Sequence, residues 1–123
     1  MKVRIKINDR VALATLNTTK TAREFAALLP LTLKMKDLFH REKYARLPHP
    51  LSEDAPHASR YSVGDIAYWS PSHDVAIYYR QDGETIPEPG IITIGSLDQG
   101  ADLFDGSGSL TVTIDAAKER PKE

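Results

Sequence analysis

The feature that most constrains the fold of this chain is a period-two alternation of apolar and polar residues that recurs in short segments. Val3, Ile5 and Ile7 alternate with charged residues, which places them on one face of a strand. The largest concentration of β-branched and aromatic residues lies between Gly64 and Leu103, in runs bounded by Gly, Pro, Asp or Ser. The pattern predicts an architecture built mainly from short β-strands.

One helix is predicted to follow the second strand. Ala22, Phe25, Ala26 and Leu29 recur at the spacing of one helical face, and Pro30 ends the pattern. The N-cap is left open, because Thr18, Thr19 and Thr21 are each suitable. A single helical turn is predicted over 100–104, before the last strand.

About eight strands are predicted, over 2–7, 11–16, 31–36, 42–47, 66–69, 75–79, 91–94 and 109–115. Short strands at this spacing favour a closed barrel or a sandwich, and closure removes exposed strand edges. The pattern by itself therefore predicts a mainly β fold with one α-helix after the second strand, and it leaves the barrel and the sandwich both open. We expect a single domain over 1–123, with 116–123 as a frayed tail.

Composition excludes several classes of function. The chain has no cysteine, which excludes disulfides and thiolate metal sites, and its formal net charge of −1 does not favour nucleic-acid binding. No apolar run approaches the roughly 18 residues of a membrane span, and the first strand does not resemble a signal peptide, so we expect a cytoplasmic location. The four histidines lack metal-ligand spacing, and neither a metal nor a cofactor is predicted.

Aromatic residues supply the candidate binding site. Tyr68 and Trp69 must face opposite sides of their strand, and Tyr78 and Tyr79 must do the same, although the sequence leaves open which member faces inward. Outward rings beside the proline-rich loop 48–60 could form a groove for a peptide or small apolar ligand. The alternative is that they pack beneath the loop. The candidate ligand-binding residues are Tyr44, Tyr68 and Tyr78.

The order of elements resembles the cyclophilin-like fold. The strands over 64–69, 75–79 and 91–97, the turn over 100–104 and the strand over 110–114 follow the same succession as the C-terminal half of cyclophilins. The chain is similar over nearly its whole length to small prokaryotic cyclophilin-like proteins of undefined function. The shared motifs are Leu29-Pro30-Leu31, Glu42-Lys43-Tyr44, Leu47 to Leu51, Gly64 to Trp69, Gly90-Ile91-Ile92 and Ile94-Gly95. The resemblance implies the fold class that we predict: a closed eight-stranded β-barrel with one α-helix after the second strand and a short helical turn before the last strand.

This resemblance implies prolyl isomerase activity only where the family's residues match, and most do not. The rim Trp and His of the family fall near Ile86 and Ile91. Phe39-His40-Arg41 reproduces the triplet around the catalytic Arg, so Arg41 is the candidate catalytic residue, with a solvated loop charge as the alternative. We therefore expect a domain that binds a peptide or small ligand, or alternatively a weak isomerase. No nucleic-acid or membrane partner is expected, and the oligomeric state is not predicted.

Overall fold

Eight antiparallel strands close into a barrel in the computed structural model, which describes residues 1–117. The strands are β1 Lys2–Ile7, β2 Arg10–Leu16, β3 Leu31–Leu38, β4 Glu42–Arg46, β5 Asp65–Trp69, β6 Asp74–Tyr78, β7 Ile92–Gln99 and β8 Leu110–Ala116. They pair in the order β1-β2-β7-β5-β6-β4-β3-β8, and β8 pairs with β1 to complete the circle. The predicted fold class is confirmed.

Alternation along each strand separates the interior of the barrel from its surface. Val3, Ile5 and Ile7 of β1 are buried, and the charged residues between them are exposed. Ile5 lies opposite Ala12 of β2 and Ile114 of β8, both of which are also buried. Burial of such side chains, worth about 1.5–3 kcal/mol for each large one, is what holds the strands in this register.

Strand β7 extends beyond the predicted end at Ile94, and Gly95 is the reason that it can. A Cβ atom at Gly95 would lie 2.5 Å from the carbonyl oxygen of Thr15 on β2. Only glycine therefore allows β2 and β7 to approach closely at this position, where Leu16 pairs with Gly95.

The helix α1, Lys20–Ala26, packs its buried side chains against the barrel core. Its N-cap is Thr19, whose Oγ1 accepts the backbone N–H of Ala22 at 3.1 Å. Thr21 instead donates its hydroxyl to the carbonyl of Ser52 at 2.6 Å, which ties the helix to the long loop. Phe25 is 1% exposed and belongs to the barrel core. The predicted turn before β8 is present as a 3₁₀ helix, Ala101–Phe104.

A second, smaller apolar cluster lies outside the barrel wall. It joins the outward faces of β5 and β6 to the segments that precede and follow them, and consists of Tyr61, Ala67, Ala76, Tyr78, Ile86 and Ile91. The rings of Tyr61 and Tyr78 stack with their centroids 4.2 Å apart. The long irregular segments are therefore packed onto the barrel and form one wall of the surface described next.

The predicted frayed tail over 116–123 falls only partly within the described residues. Ala116 ends β8, and the N–H of Ala117 donates to the carbonyl of Lys2 at 3.0 Å. Residues 118–123 lie outside the described residues. Among the helices that the structure does describe, none has the length and apolarity needed to span a bilayer.

Candidate functional site

A groove of about 650 Å³ lies on the outer surface of β3, β4 and β6. Ala76 forms part of its floor, with Tyr44 as its partner on β4 and Ala67 as its partner on β5. Because alanine is small, the surface dips between larger neighbours. Ile86, from the loop that follows β6, lines one side of the groove. The volume is in the range of pockets that hold drug-sized molecules.

Aromatic rings line this groove, although not all of those predicted. Tyr44, Trp69 and Tyr78 contribute to its walls, and Tyr44 and Trp69 are partly exposed there. Tyr68 does not, which corrects the prediction for that residue. Its side chain points into the barrel, is 1% exposed, and accepts the backbone N–H of Leu51 at 2.9 Å through its hydroxyl.

The choice between neighbouring aromatics follows from which one shares a face with the barrel core. Tyr68 and Tyr79 belong to the interior cluster, whereas Trp69 and Tyr78 pack on the outside. Tyr78 is only 2% exposed, because its ring stacks on that of Tyr61 and belongs to the second apolar cluster. Tyr44 and Trp69 offer the more accessible ring surface.

Arg41 lies at one end of the groove, and its guanidinium is held there by two carboxylates. Its Nε donates to Oε1 of Glu42 at 2.9 Å, its Nη2 contacts the same oxygen, and its Nη1 donates to Oδ2 of Asp82 at 3.3 Å. The arginine residue is 7% exposed, so the interpretation of a solvated loop charge is wrong. Each nitrogen of the guanidinium has an acidic partner within the protein.

Aromatic rings surround the same guanidinium. Its central carbon lies 5.3 Å from the ring centroid of Phe39, 5.5 Å from that of Tyr61 and 5.7 Å from that of Tyr78. Such positions are within the range of cation–π attraction. The side chain is thus held on every side by contacts that fix its orientation.

Burial sets the electrostatics of this ion pair. Desolvation raises the pKa of Glu42, and the hydrogen bond and charge of Arg41 oppose that rise. For Arg41, desolvation lowers the pKa, but the contacts with Glu42 outweigh it and the net shift is upward. Burial and the nearby Glu42 charge together raise the pKa of Tyr78. The tyrosine therefore stays neutral and contributes a polar hydroxyl, rather than a charge, to the groove.

The turn between β3 and β4 places an apolar ring at the end of the groove. Phe39 and His40 both have positive φ, 59° and 50°, a conformation that non-glycine residues rarely adopt. Oδ2 of Asp37 accepts the N–H of His40 at 3.0 Å and supports this turn. Phe39 is 73% exposed, the highest exposure among the large apolar residues that are exposed within 1–117.

The sequence interpretation missed three cations beside the groove. Lys34 and Lys36 project outward from β3, and Arg46 projects outward from the end of β4; all three are exposed and line the groove. The signal was present in the sequence, because alternation places Lys34 and Lys36 on the same face and Arg46 on the same face as Tyr44.

The sequence interpretation also missed a buried lysine, Lys43, inside the barrel. Lys43 is 1% exposed and donates to Oδ1 of Asp37 at 3.0 Å and to the carbonyl of Gly108 at 2.6 Å. The carbonyl of Gly106 is a third acceptor, and the hydroxyl of Tyr79 donates to the same oxygen of Asp37. The cluster anchors the loop before β8 to the end of the barrel, and its ammonium has no donor free for a ligand.

The histidines do not gather into a site. His40 contacts Oδ1 of Asp105 at 3.1 Å, and Nδ1 of His57 lies 3.0 Å from the carbonyl of Pro89. Within residues 1–117 there is no group of three or more His, Cys, Asp or Glu side chains that could hold a metal ion.

Comparison with known proteins gives two findings. A family model described as the cyclophilin-like family matches residues 5–115. A hypothetical protein from Archaeoglobus fulgidus, whose solution structure is known, superposes with a TM-score of 0.72 at 19% sequence identity, over 95% of each chain. This likeness concerns the fold. No curated protein matches the chain.

Proposed function

The chain belongs to the cyclophilin-like family, and from this premise we propose that it is a binding domain that holds a peptide or small ligand in the groove of β3, β4 and β6. The observation that carries the proposal is a groove of about 650 Å³ that presents the partly exposed rings of Tyr44 and Trp69. Apolar and aromatic walls with a few polar groups are typical of ligand sites.

The contacts of Arg41 favour binding over the alternative, prolyl isomerisation. An isomerase of this family needs an arginine that can donate to a substrate amide as its bond twists, which requires donors aimed at the developing charge. Here Glu42 and Asp82 already accept from the guanidinium. Releasing it would leave the buried carboxylate of Glu42 without its partner, an arrangement that is strongly unfavourable.

The single tryptophan makes the proposal testable with intrinsic fluorescence, because Trp69 is the only one in the chain and lines the groove. We would titrate the neutral dye N-phenylnaphthylamine and record both its own emission and the quenching of Trp69 by energy transfer. Saturable binding of one dye per chain is expected. Absence of any saturable signal would contradict the proposal.

Changing the shape of the groove should weaken dye binding. Ala76→Leu would add bulk to the floor, and Tyr44→Ala would remove part of a wall without adding any. Ala27→Leu is the matched control, since Ala27 is exposed at the end of α1 and does not line the groove. Both groove variants are expected to weaken dye binding at least about tenfold, a loss of about 1.4 kcal/mol, while the control leaves it unchanged. Circular dichroism would verify that each variant is folded.

A cytoplasmic location remains part of this proposal. It is supported by the lack of cysteine, which is compatible with a reducing compartment. Fractionation of cells that express the full chain with a C-terminal epitope tests it, with recovery in the cytoplasmic fraction as the expected result.

A further inference from the structure

The positive charge beside the groove is concentrated on one side of it. Lys36 pairs with Tyr44 across β3 and β4. Continuing the same antiparallel register places Lys34, two residues earlier on β3, at the level of Arg46, two residues after Tyr44 on β4. The three cations therefore share one face of two adjacent strands, next to a ring that lines the groove.

Nothing among residues 1–117 neutralises these three side chains by an ion pair. The carboxylate of Glu42 is bound by Arg41, and that of Asp74, which lies opposite Arg46, accepts the hydroxyl of Ser72 at 2.6 Å without a salt bridge to the arginine. Like charges on facing strand positions repel one another. The chain as a whole has a formal net charge of −1, so this positive region is local.

We propose that the ligand of the groove is a small aromatic acid, whose rings pack on Tyr44 and Trp69 and whose anionic group is bound by Lys34, Lys36 and Arg46. This inference rests on the function proposed above and adds the chemical class of the ligand. An anion between the three cations would accept charge-assisted hydrogen bonds and reduce their mutual repulsion. Carboxylate, sulfonate and phosphate groups share the required chemistry.

The shape of the groove favours a compact molecule over an acidic peptide. Its rings and cations lie within one groove of about 650 Å³, which is in the size range of sites that hold drug-sized molecules. An extended acidic peptide would need cations spaced along a longer track. The exposed ring of Phe39 stands at the other end of the groove, where it offers further apolar contact.

Two dyes that differ by a single anionic group test the inference. Anilinonaphthalene sulfonate carries the same ring system as N-phenylnaphthylamine with one sulfonate added. The wild-type chain is expected to bind the sulfonate dye more tightly than the neutral one. Added salt is expected to weaken binding of the sulfonate dye alone, because salt screens the attraction between exposed charges.

The decisive variant removes the three cations together, as Lys34→Gln, Lys36→Gln and Arg46→Gln. An exposed cation attracts an anion only modestly, but here three cations act on the same anionic group. We therefore expect the triple variant to bind the sulfonate dye at least about tenfold more weakly. Its affinity for the neutral dye should fall by a clearly smaller factor than its affinity for the sulfonate dye, since the rings remain in place.

A control triple variant carries the same change in charge elsewhere: Arg10→Gln, Lys20→Gln and Arg60→Gln. These residues are exposed, make no ion pair within residues 1–117 and do not line the groove. Unchanged affinity for both dyes is expected. A loss of sulfonate-dye binding as large as that in the groove variant would show a general effect of charge and would overturn the inference.

Other outcomes separate the two proposals. If both dyes bind equally and the groove triple variant affects neither, the inference fails while the proposed function stands. If neither dye binds, the proposed function fails as well. Competition supplies a further arm: naphthoate should displace the sulfonate dye, and displacement by a short glutamate peptide but not by naphthoate would assign the site to acidic peptides instead.

Discussion

Nε of Arg41 donates to Oε1 of Glu42 at 2.9 Å, so two consecutive residues form an ion pair whose side chains are only 8% and 6% exposed. A pair between chain neighbours requires little loop closure to form, and it engages the guanidinium that the isomerase alternative would need. The same contact therefore bears on the stability of the fold and on the test of that alternative.

Glu42→Gln should destabilise the protein. The substitution leaves a buried guanidinium with Asp82 as its remaining acidic partner, and loss of a charged hydrogen bond typically lowers the free energy of unfolding by about 1–3 kcal/mol. Urea unfolding followed by Trp69 fluorescence would measure it. Glu53→Gln, at an exposed glutamate that makes no ion pair within residues 1–117, is the control and should change little. Equal effects of the two substitutions would contradict a stabilising ion pair.

Prolyl isomerisation should proceed at its uncatalysed rate in the presence of the protein. In a protease-coupled assay on a proline-containing peptide, we expect no rate above background, because the guanidinium is engaged by Glu42 and Asp82. The assay is repeated with Arg41→Lys, which keeps a positive charge but loses the forked donors. Catalysis by the wild type that disappears in this variant would instead establish the isomerase alternative.

Asp37→Asn should destabilise the protein at neutral pH and progressively less in acid. Burial by itself would raise the pKa of Asp37, but hydrogen bonds from Tyr79 and Lys43 outweigh it and hold the pKa below its ordinary value of 3.8. The ionised carboxylate therefore stabilises the fold above that value, and this contribution is lost as pH falls through the lowered pKa.

The measurement is a series of urea unfolding curves at pH 7, 5, 4 and 3 for the wild type and Asp37→Asn. The difference should be about 1–3 kcal/mol at pH 7, because the variant leaves the buried ammonium of Lys43 without its carboxylate, and it should narrow below pH 4. Asp54→Asn, at an exposed position, provides the baseline. A difference that stays constant across the series would show that ionisation of Asp37 is not responsible.

Gly90→Ala should destabilise the protein more than Gly83→Ala. Both glycines have positive φ, 82° and 79°, so alanine is strained at either site, by roughly 1–2 kcal/mol. At Gly90 a Cβ would also lie 2.6 Å from the carbonyl oxygen of Ala58, whereas nothing lies within 4 Å at Gly83. Thermal unfolding of the two variants isolates the clash from the strain. Equal losses of stability in the two variants would mean that the backbone around Gly90 shifts far enough to relieve the clash with Ala58.

Local pattern was sufficient for the strands because each strand carries its own alternation, whereas closure into a barrel was predicted from the resemblance to the cyclophilin-like fold. The alternation does not show which of Tyr68 and Trp69 faces the interior of the barrel, because it requires only that the two side chains lie on opposite sides of the strand. The decision depends on partners that are distant in sequence, such as Leu51, whose N–H reaches the hydroxyl of Tyr68.

The site depended even more on long-range contacts. Glu42 directly follows Arg41, so an ion pair between them is compatible with the sequence. The other acidic partner of Arg41, Asp82, is 41 residues away. The ring of Tyr61, which lies beside the same guanidinium, belongs to a segment without regular structure. Lys43 occupies an inward position of β4, where alternation places a lysine in the core. A buried lysine was therefore implied by the strand assignment, although its acceptors were not.

Closure of the barrel has a consequence for how recognition can change over evolutionary time. Within residues 1–117 every strand has two neighbours, so the barrel has no exposed strand edge. The outward side chains of β3, β4 and β6 are therefore not needed to protect such an edge from pairing with another chain. Mutations at Lys34, Lys36 or Arg46 can alter selectivity while the inward residues preserve the scaffold.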